Sequence, residues 1–138
     1  MSKSRLFVLI AVIGAAMFVW ALRRPDTAAA TGTPMVTVNV PSSLSLPAAK
    51  GRTAFDTNCA SCHGENASGR DGIGPPLIDP IYRPGHHADI AFELAARTGA
   101  RQHHWTFGNM PPTEGVTDAD LAVIIAYIRE IQRANGIN

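Results

Sequence analysis

The chain has 138 residues, enough for one modest domain with appendages, and its 12 basic and 11 acidic side chains nearly cancel. Four of the basic residues, Lys3, Arg5, Arg23 and Arg24, flank an N-terminal apolar run, so that from residue 47 onward 8 basic residues stand against 10 acidic ones. That balance leaves no basic footprint for nucleic acid.

Residues 6–22 form an uncharged, almost wholly apolar run of 17, closed by Arg23-Arg24. Signal-peptide cores run to about 15 residues and spanning helices start at about 17, so residues 1–24 read as a membrane anchor. A cleaved signal peptide, cut near Ala28-Ala29-Ala30, is the alternative. The arginine pair resists translocation and Trp20 suits a membrane interface, but basic residues on both sides leave the orientation open. Because the pair follows the run, it is not a twin-arginine export signal. Residues 25–46, rich in Thr, Ala, Ser, Gly and Pro, read as a flexible tether spanning about 25 Å root mean square. Within it, Met35-Val36-Thr37-Val38-Asn39-Val40 alternates like a short strand.

Pro47 is placed to open a helix reaching about Asn58. Gly51 inside that helix costs about 1 kcal/mol against alanine, which the close approach of another helix would explain. Cys59-Ala60-Ser61-Cys62-His63 follows and uses both cysteines of the chain. Thiols at this spacing can form thioethers with the two vinyl groups of one haem, and the histidine directly after them can reach the iron as proximal axial ligand. A zinc ribbon needs four ligands, and a thioredoxin-like dithiol needs a strand-helix-strand setting; the sequence offers neither. Residues 64–85 lack periodicity and read as a long loop, a length that a compact domain accepts when the loop has a function, here wrapping a haem face. A helix over 89–97 follows, with Gly99 as its stop. Arg101, His103, His104 and Trp105 then lead into Gly108-Asn109-Met110-Pro111-Pro112.

Met110 is the only methionine after the cysteine pair. Its two following prolines suit a stiff loop able to press a thioether onto a metal, which makes it the candidate second axial ligand. His86, His87, His103 and His104 are its rivals. Trp105 or a neighbouring histidine can donate to a haem propionate, with core packing as the plainer role for Trp105. The last helix spans 118–133, opened by Thr117 with Asp120 three positions on. Leu121, Ile124, Ile125, Ile128 and Ile131 form its buried stripe.

Taken together, Gly51-x-x-x-Phe55, the Cys59–His63 motif, Gly74-Pro75-Pro76-Leu77 and Met110-Pro111 make residues 47–138 resemble the class I, mitochondrial-like monohaem cytochrome c family, in a membrane-anchored bacterial form. The resemblance implies an all-α domain of helices and long loops around one covalent haem c, behind an N-terminal transmembrane helix. It implies that Pro75 offers its carbonyl to the second ring nitrogen of His63, fixing the tautomer. It also implies that the last helix crosses the first at Tyr127, against Gly51 and Phe55. The expected function is one-electron transfer with His63 and Met110 as axial ligands, between membrane or periplasmic redox proteins, with no small-molecule substrate. The haem domain is expected on the periplasmic side of a single-pass inner-membrane protein, where attachment takes place. A cytochrome subunit fixed in an oxidoreductase complex shares this chemistry. A haem sensor or peroxidase-like enzyme with an open sixth position is the competing class.

Overall fold

The computed structural model describes residues 31–138 and, ahead of them, only positions 13, 14 and 17. The apolar run at 6–22 therefore lies, apart from those positions, outside the described residues. Among the described residues no helix is long and apolar enough to cross a membrane.

Four α-helices carry the domain: α1 (Leu46–Asn58), α2 (Ala60–His63), α3 (Asp89–Thr98) and α4 (Asp118–Ala134). Each boundary has a local cause. The Ser45 hydroxyl accepts from the Ala48 amide and Pro47 lies in the first turn of α1, where its missing N–H costs nothing. Thr117 and Asp120 close a complete capping box on α4, satisfying two otherwise orphaned donors reciprocally. Helix α3 stops at Gly99, whose φ is 78°.

Helices α1 and α4 cross at Gly51. A Cβ there would overlap the Val123 carbonyl and come within 2.8 Å of the Tyr127 Cβ, so only glycine lets the two backbones meet. One turn on, the rings of Phe55 and Tyr127 pack at 5.6 Å between centroids, tilted by 54°, and both are fully buried. Around this crossing Ala48, Ile124, Ile128, Ile131, Leu77 and Ile78 complete the core. The expected stripe of α4 is buried at every position, and Arg129 and Gln132 are buried with it.

The long connection from 64 to 85 is more ordered than its composition suggests. A turn at Glu65–Ala67, with Asn66 and Ala67 at positive φ, and a single-turn 3₁₀ helix at Pro80–Tyr82 punctuate it, and Arg70 pairs with Gly74 in a short antiparallel bridge. Residues 35–40 form no strand, and 35–36 make a bend. They nonetheless dock, because Met35 and Val36 donate their amides to the Ser68 carbonyl and Val36, Val38 and Val40 pack against the core. Asn39 exchanges hydrogen bonds with Asn135 at the end of α4. Ser45 donates to the Glu130 carboxylate from both its amide and its hydroxyl, at 2.9 and 2.6 Å. The stretch expected as free tether is thus fastened to the domain over these residues.

Candidate functional site

The cysteine pair leaves α1 without a break in hydrogen bonding. Cys59 still donates its amide to Phe55, and its carbonyl accepts from Cys62 and His63 at 3.1 and 2.9 Å. This turn forms α2, which brings Cys59, Cys62 and His63 to the wall of one cavity of about 650 Å³. Met110, Pro75, Trp105 and three of the four rival histidines line the same cavity.

His63 is buried, and its Nδ1 lies 2.9 Å from the Pro75 carbonyl oxygen. Donation from Nδ1 to that carbonyl leaves Nε2 with its lone pair, the state a metal ligand requires. Burial lowers the affinity of this imidazole for a second proton, opposed by the Pro75 carbonyl. Gly74 explains how Pro75 comes so near: a Cβ there would lie 2.5 Å from the Cys62 carbonyl oxygen, so the segment runs directly against the cysteine turn.

Burial first, then Cys62 beside it, pushes the Cys59 thiol up to about 11. A dithiol redox centre needs the opposite, a thiol lowered toward neutral pH so that thiolate is present. Cys59 is therefore unsuited to act as the attacking thiolate of a disulfide-exchange site.

Met110 reaches the cavity from a loop whose ends are tied. Ala100 and Met110 exchange amide-to-carbonyl hydrogen bonds at 3.0 and 2.9 Å, forming an antiparallel bridge that closes residues 100–110 into a compact loop. Gln102 and Asn109 brace its interior, the Gln102 amide donating to Asn109 Oδ1 and the Gly108 amide to Gln102 Oε1. Trp105 and Phe107 stack at 5.9 Å within it.

The remaining wall comes from α3 and α4, with Phe92, Leu94, Ala95, Leu121, Ile124, Ile125 and Ile128. An apolar chamber joining paired thiols, an imidazole and a thioether fits a haem, whose macrocycle is apolar and whose iron takes nitrogen and sulfur ligands. Trp105 supplies a further sign of fit. Its Nε1 is the one buried side-chain nitrogen or oxygen among the described residues that meets no acceptor in hydrogen-bonding geometry, although the Tyr82 hydroxyl lies near enough to feel it. A buried indole N–H is costly to leave unpaired, and an acceptor on a group bound in this cavity would satisfy it.

The sequence did not single out Tyr82, Phe92 or Arg129. The Arg129 guanidinium is buried and donates to Asp89 Oδ1, the Tyr82 carbonyl, Gln132 Oε1 and the His87 carbonyl. It also lies 4.8 Å over the Phe92 ring. This single side chain fastens the 80–89 segment to α4 and so frames one side of the cavity. Helical spacing from Leu121 and Ile125 places positions 129 and 132 on the buried face, a signal masked by their polarity.

Comparison with known proteins agrees with this geometry. Residues 48–132 match the family model described as cytochrome c. The chain is 43% identical over 103 residues to the cbb3-type cytochrome c oxidase subunit CcoP of Azospirillum brasilense, covering 70% of this chain and 32% of that one. It is 53% identical over 94 residues to the cbb3-type cytochrome c oxidase subunit FixP of Bradyrhizobium sp. (strain ORS 278), covering 67% and 30%. With CcoP of Azospirillum sp. (strain B510) it shares 52% identity over 90 residues, 60% of this chain and 28% of the relative. The chain thus spans about a third or less of the length of these relatives. The match over the whole helical domain, together with the cysteine pair on its cavity wall, establishes that the chain belongs to the cytochrome c family and takes that family's covalent haem c on Cys59 and Cys62.

Proposed function

We propose that this protein is a one-electron carrier in which His63 and Met110 are the axial ligands of the haem iron. The observation that carries the reading is that His63, tautomerically set by Pro75, and Met110, held in a bridged loop, line one cavity with both cysteines. The bound haem supplies a metal that exchanges one electron between ferrous and ferric states. Everything else is the work of the chain. His63 keeps its Nε2 available because Nδ1–H is committed to Pro75. Met110 contributes a thioether, which favours the ferrous state relative to a second imidazole. The Ala100–Met110 bridge and the two prolines after Met110 limit movement of that thioether, so filling both axial positions leaves no site for a substrate. Trp105 Nε1–H is the donor for an acidic edge of the group, and the apolar walls from α3 and α4 exclude water.

The arrangement proposed for the whole chain is an anchor over 1–24, a connecting segment over 25–46 and the haem domain over 47–138. The domain then stands on the periplasmic side of the inner membrane. Electron donor and acceptor are membrane or periplasmic redox proteins. A second reading, a subunit held permanently in a terminal oxidase, is favoured by the relatives, which are cbb3-type oxidase subunits. Co-purification of a stable complex after mild detergent extraction separates the two. The axial assignment is tested by the ferric spectrum: a methionine-to-iron charge-transfer band is expected in the unmodified protein and its loss in Met110→Ala. The same spectrum in both proteins would transfer the sixth position to His86, His87, His103 or His104.

A further inference from the structure

We propose that His86, His87 and His104 form a second metal site, distinct from the haem iron, for a divalent transition-metal ion of the kind that imidazole prefers. The residues come from two separate segments, the turn at 83–87 and the bridged loop 100–110, yet one ring nitrogen from each lies within 4.8 Å of the other two. Their rings adjoin one another, at centroid separations of 4.8 Å for His86–His87, 5.3 Å for His86–His104 and 5.1 Å for His87–His104. Tetrahedral zinc with bonds of about 2.0–2.1 Å sets its nitrogen ligands about 3.4 Å apart. Closing the cluster to that spacing therefore asks for at most about 1.4 Å of movement, and the His86 and His104 side chains are exposed.

One ligand is already oriented. His87 places Nδ1 2.8 Å from the Ile81 carbonyl oxygen, which fixes the tautomer and leaves Nε2 for a metal, the outer-shell arrangement that metal-binding histidines commonly have. Its ring is packed 5.0 Å from that of Tyr82, and its backbone carbonyl accepts from the buried Arg129 guanidinium. Three imidazoles on a half-exposed rim leave a fourth position for water, as open zinc sites do. His103 packs against His104 at 4.2 Å with the rings tilted by 52°, while its own Nδ1 lies 2.7 Å from the Arg101 carbonyl. No carboxylate joins the cluster, so the donor set selects zinc, copper or nickel over calcium or magnesium. An ion held here would cross-link the 83–87 turn to the loop that ends at Met110, stiffening the segment that presents the thioether.

The test uses the haem-loaded, tag-free chain, stripped with chelator and titrated with Zn²⁺ against a chromophoric zinc indicator. One ion per chain is expected. His104→Gln and His86→Gln are each expected to weaken zinc by at least the 10–100-fold that loss of an outer-shell partner costs, and both positions are exposed, so folding is preserved. Zinc should also raise the midpoint of thermal unfolding of the unmodified chain, and not that of the double variant. Equal zinc affinity in the unmodified chain and in the His86→Gln, His104→Gln double variant would overturn the proposal, as would the absence of a stoichiometric site.

Discussion

Gly51→Ala sets two effects of opposite sign against each other. In an isolated helix the change is stabilising by about 1 kcal/mol, because alanine is the better helix former. In this fold the added methyl meets the Val123 carbonyl and lies 2.8 Å from the Tyr127 Cβ, where ordinary carbon contacts sit at about 3.5–4.0 Å. Relieving the Tyr127 contact alone parts α1 and α4 by about 1 Å, and the Val123 carbonyl asks for more; gaps of about 1 Å already forfeit a quarter to a half of each contact they open. The contacts at stake are those of Phe55, Tyr127, Ala48 and Ile124. Overpacking of a tight core costs about 1–3 kcal/mol, and the overlap with backbone puts this case at or above the top of that range. The net loss is then about 2 kcal/mol or more, or about 8–16 °C in melting temperature for a domain of this size. Far-UV circular dichroism of the haem-loaded protein during heating measures it. Gly85→Ala is the control: a Cβ there meets nothing within 4 Å, so that variant should melt at or slightly above the parent. A Gly51→Ala protein as stable as the parent would refute the close-crossing argument.

Replacing Arg129 by Met keeps most of the apolar stem but removes the donor to the His87 carbonyl and to Gln132 Oε1; each orphaned acceptor costs about 1–3 kcal/mol, read as a lowered guanidinium midpoint. Ser45 hydrogen bonds hold the Glu130 carboxyl below its usual range, so the stability they give is present above the unfolded carboxyl value of about 4.3 and is lost as pH falls through the lower folded value. The stability gap between the parent and Glu130→Ala should therefore shrink from neutral pH to about pH 3, and an unchanging gap would contradict the assignment. Replacing both Cys59 and Cys62 by Ala should abolish retention of haem on the polypeptide after acid-organic extraction. Met110→His should remain low-spin with a lowered reduction potential, measured by redox titration.

Much of this was legible in the sequence because the signals are local. The boundaries of α3 and α4 follow from Gly99, Thr117 and Asp120, and the stripe of α4 from its 3.6-residue period. Gly51, Phe55 and Tyr127 meet where the resemblance put them. The order within 64–85 was hidden, because its hydrogen bonds run between residues such as Ala67 and Leu77 that carry no periodic mark. Docking of residues 35–40 depends on Ser68 and Asn135, far away in sequence, which no local pattern reports. Arg129 was invisible for a different reason: a guanidinium on a helix reads as solvent-facing until backbone carbonyls from another segment are seen to surround it. In the sequence the four rival histidines stand as two separate pairs. Only the tertiary structure brings 86, 87 and 104 to one place.

Closure of the iron to outside ligands by Met110, as proposed, is what separates an electron carrier from a sensor or peroxidase-like enzyme. Carbon monoxide added to the reduced, haem-loaded protein distinguishes the two. An unchanged ferrous spectrum is expected for the unmodified chain and ready formation of the carbonyl adduct for Met110→Ala; ready adduct formation by the unmodified chain would rule out closure by Met110.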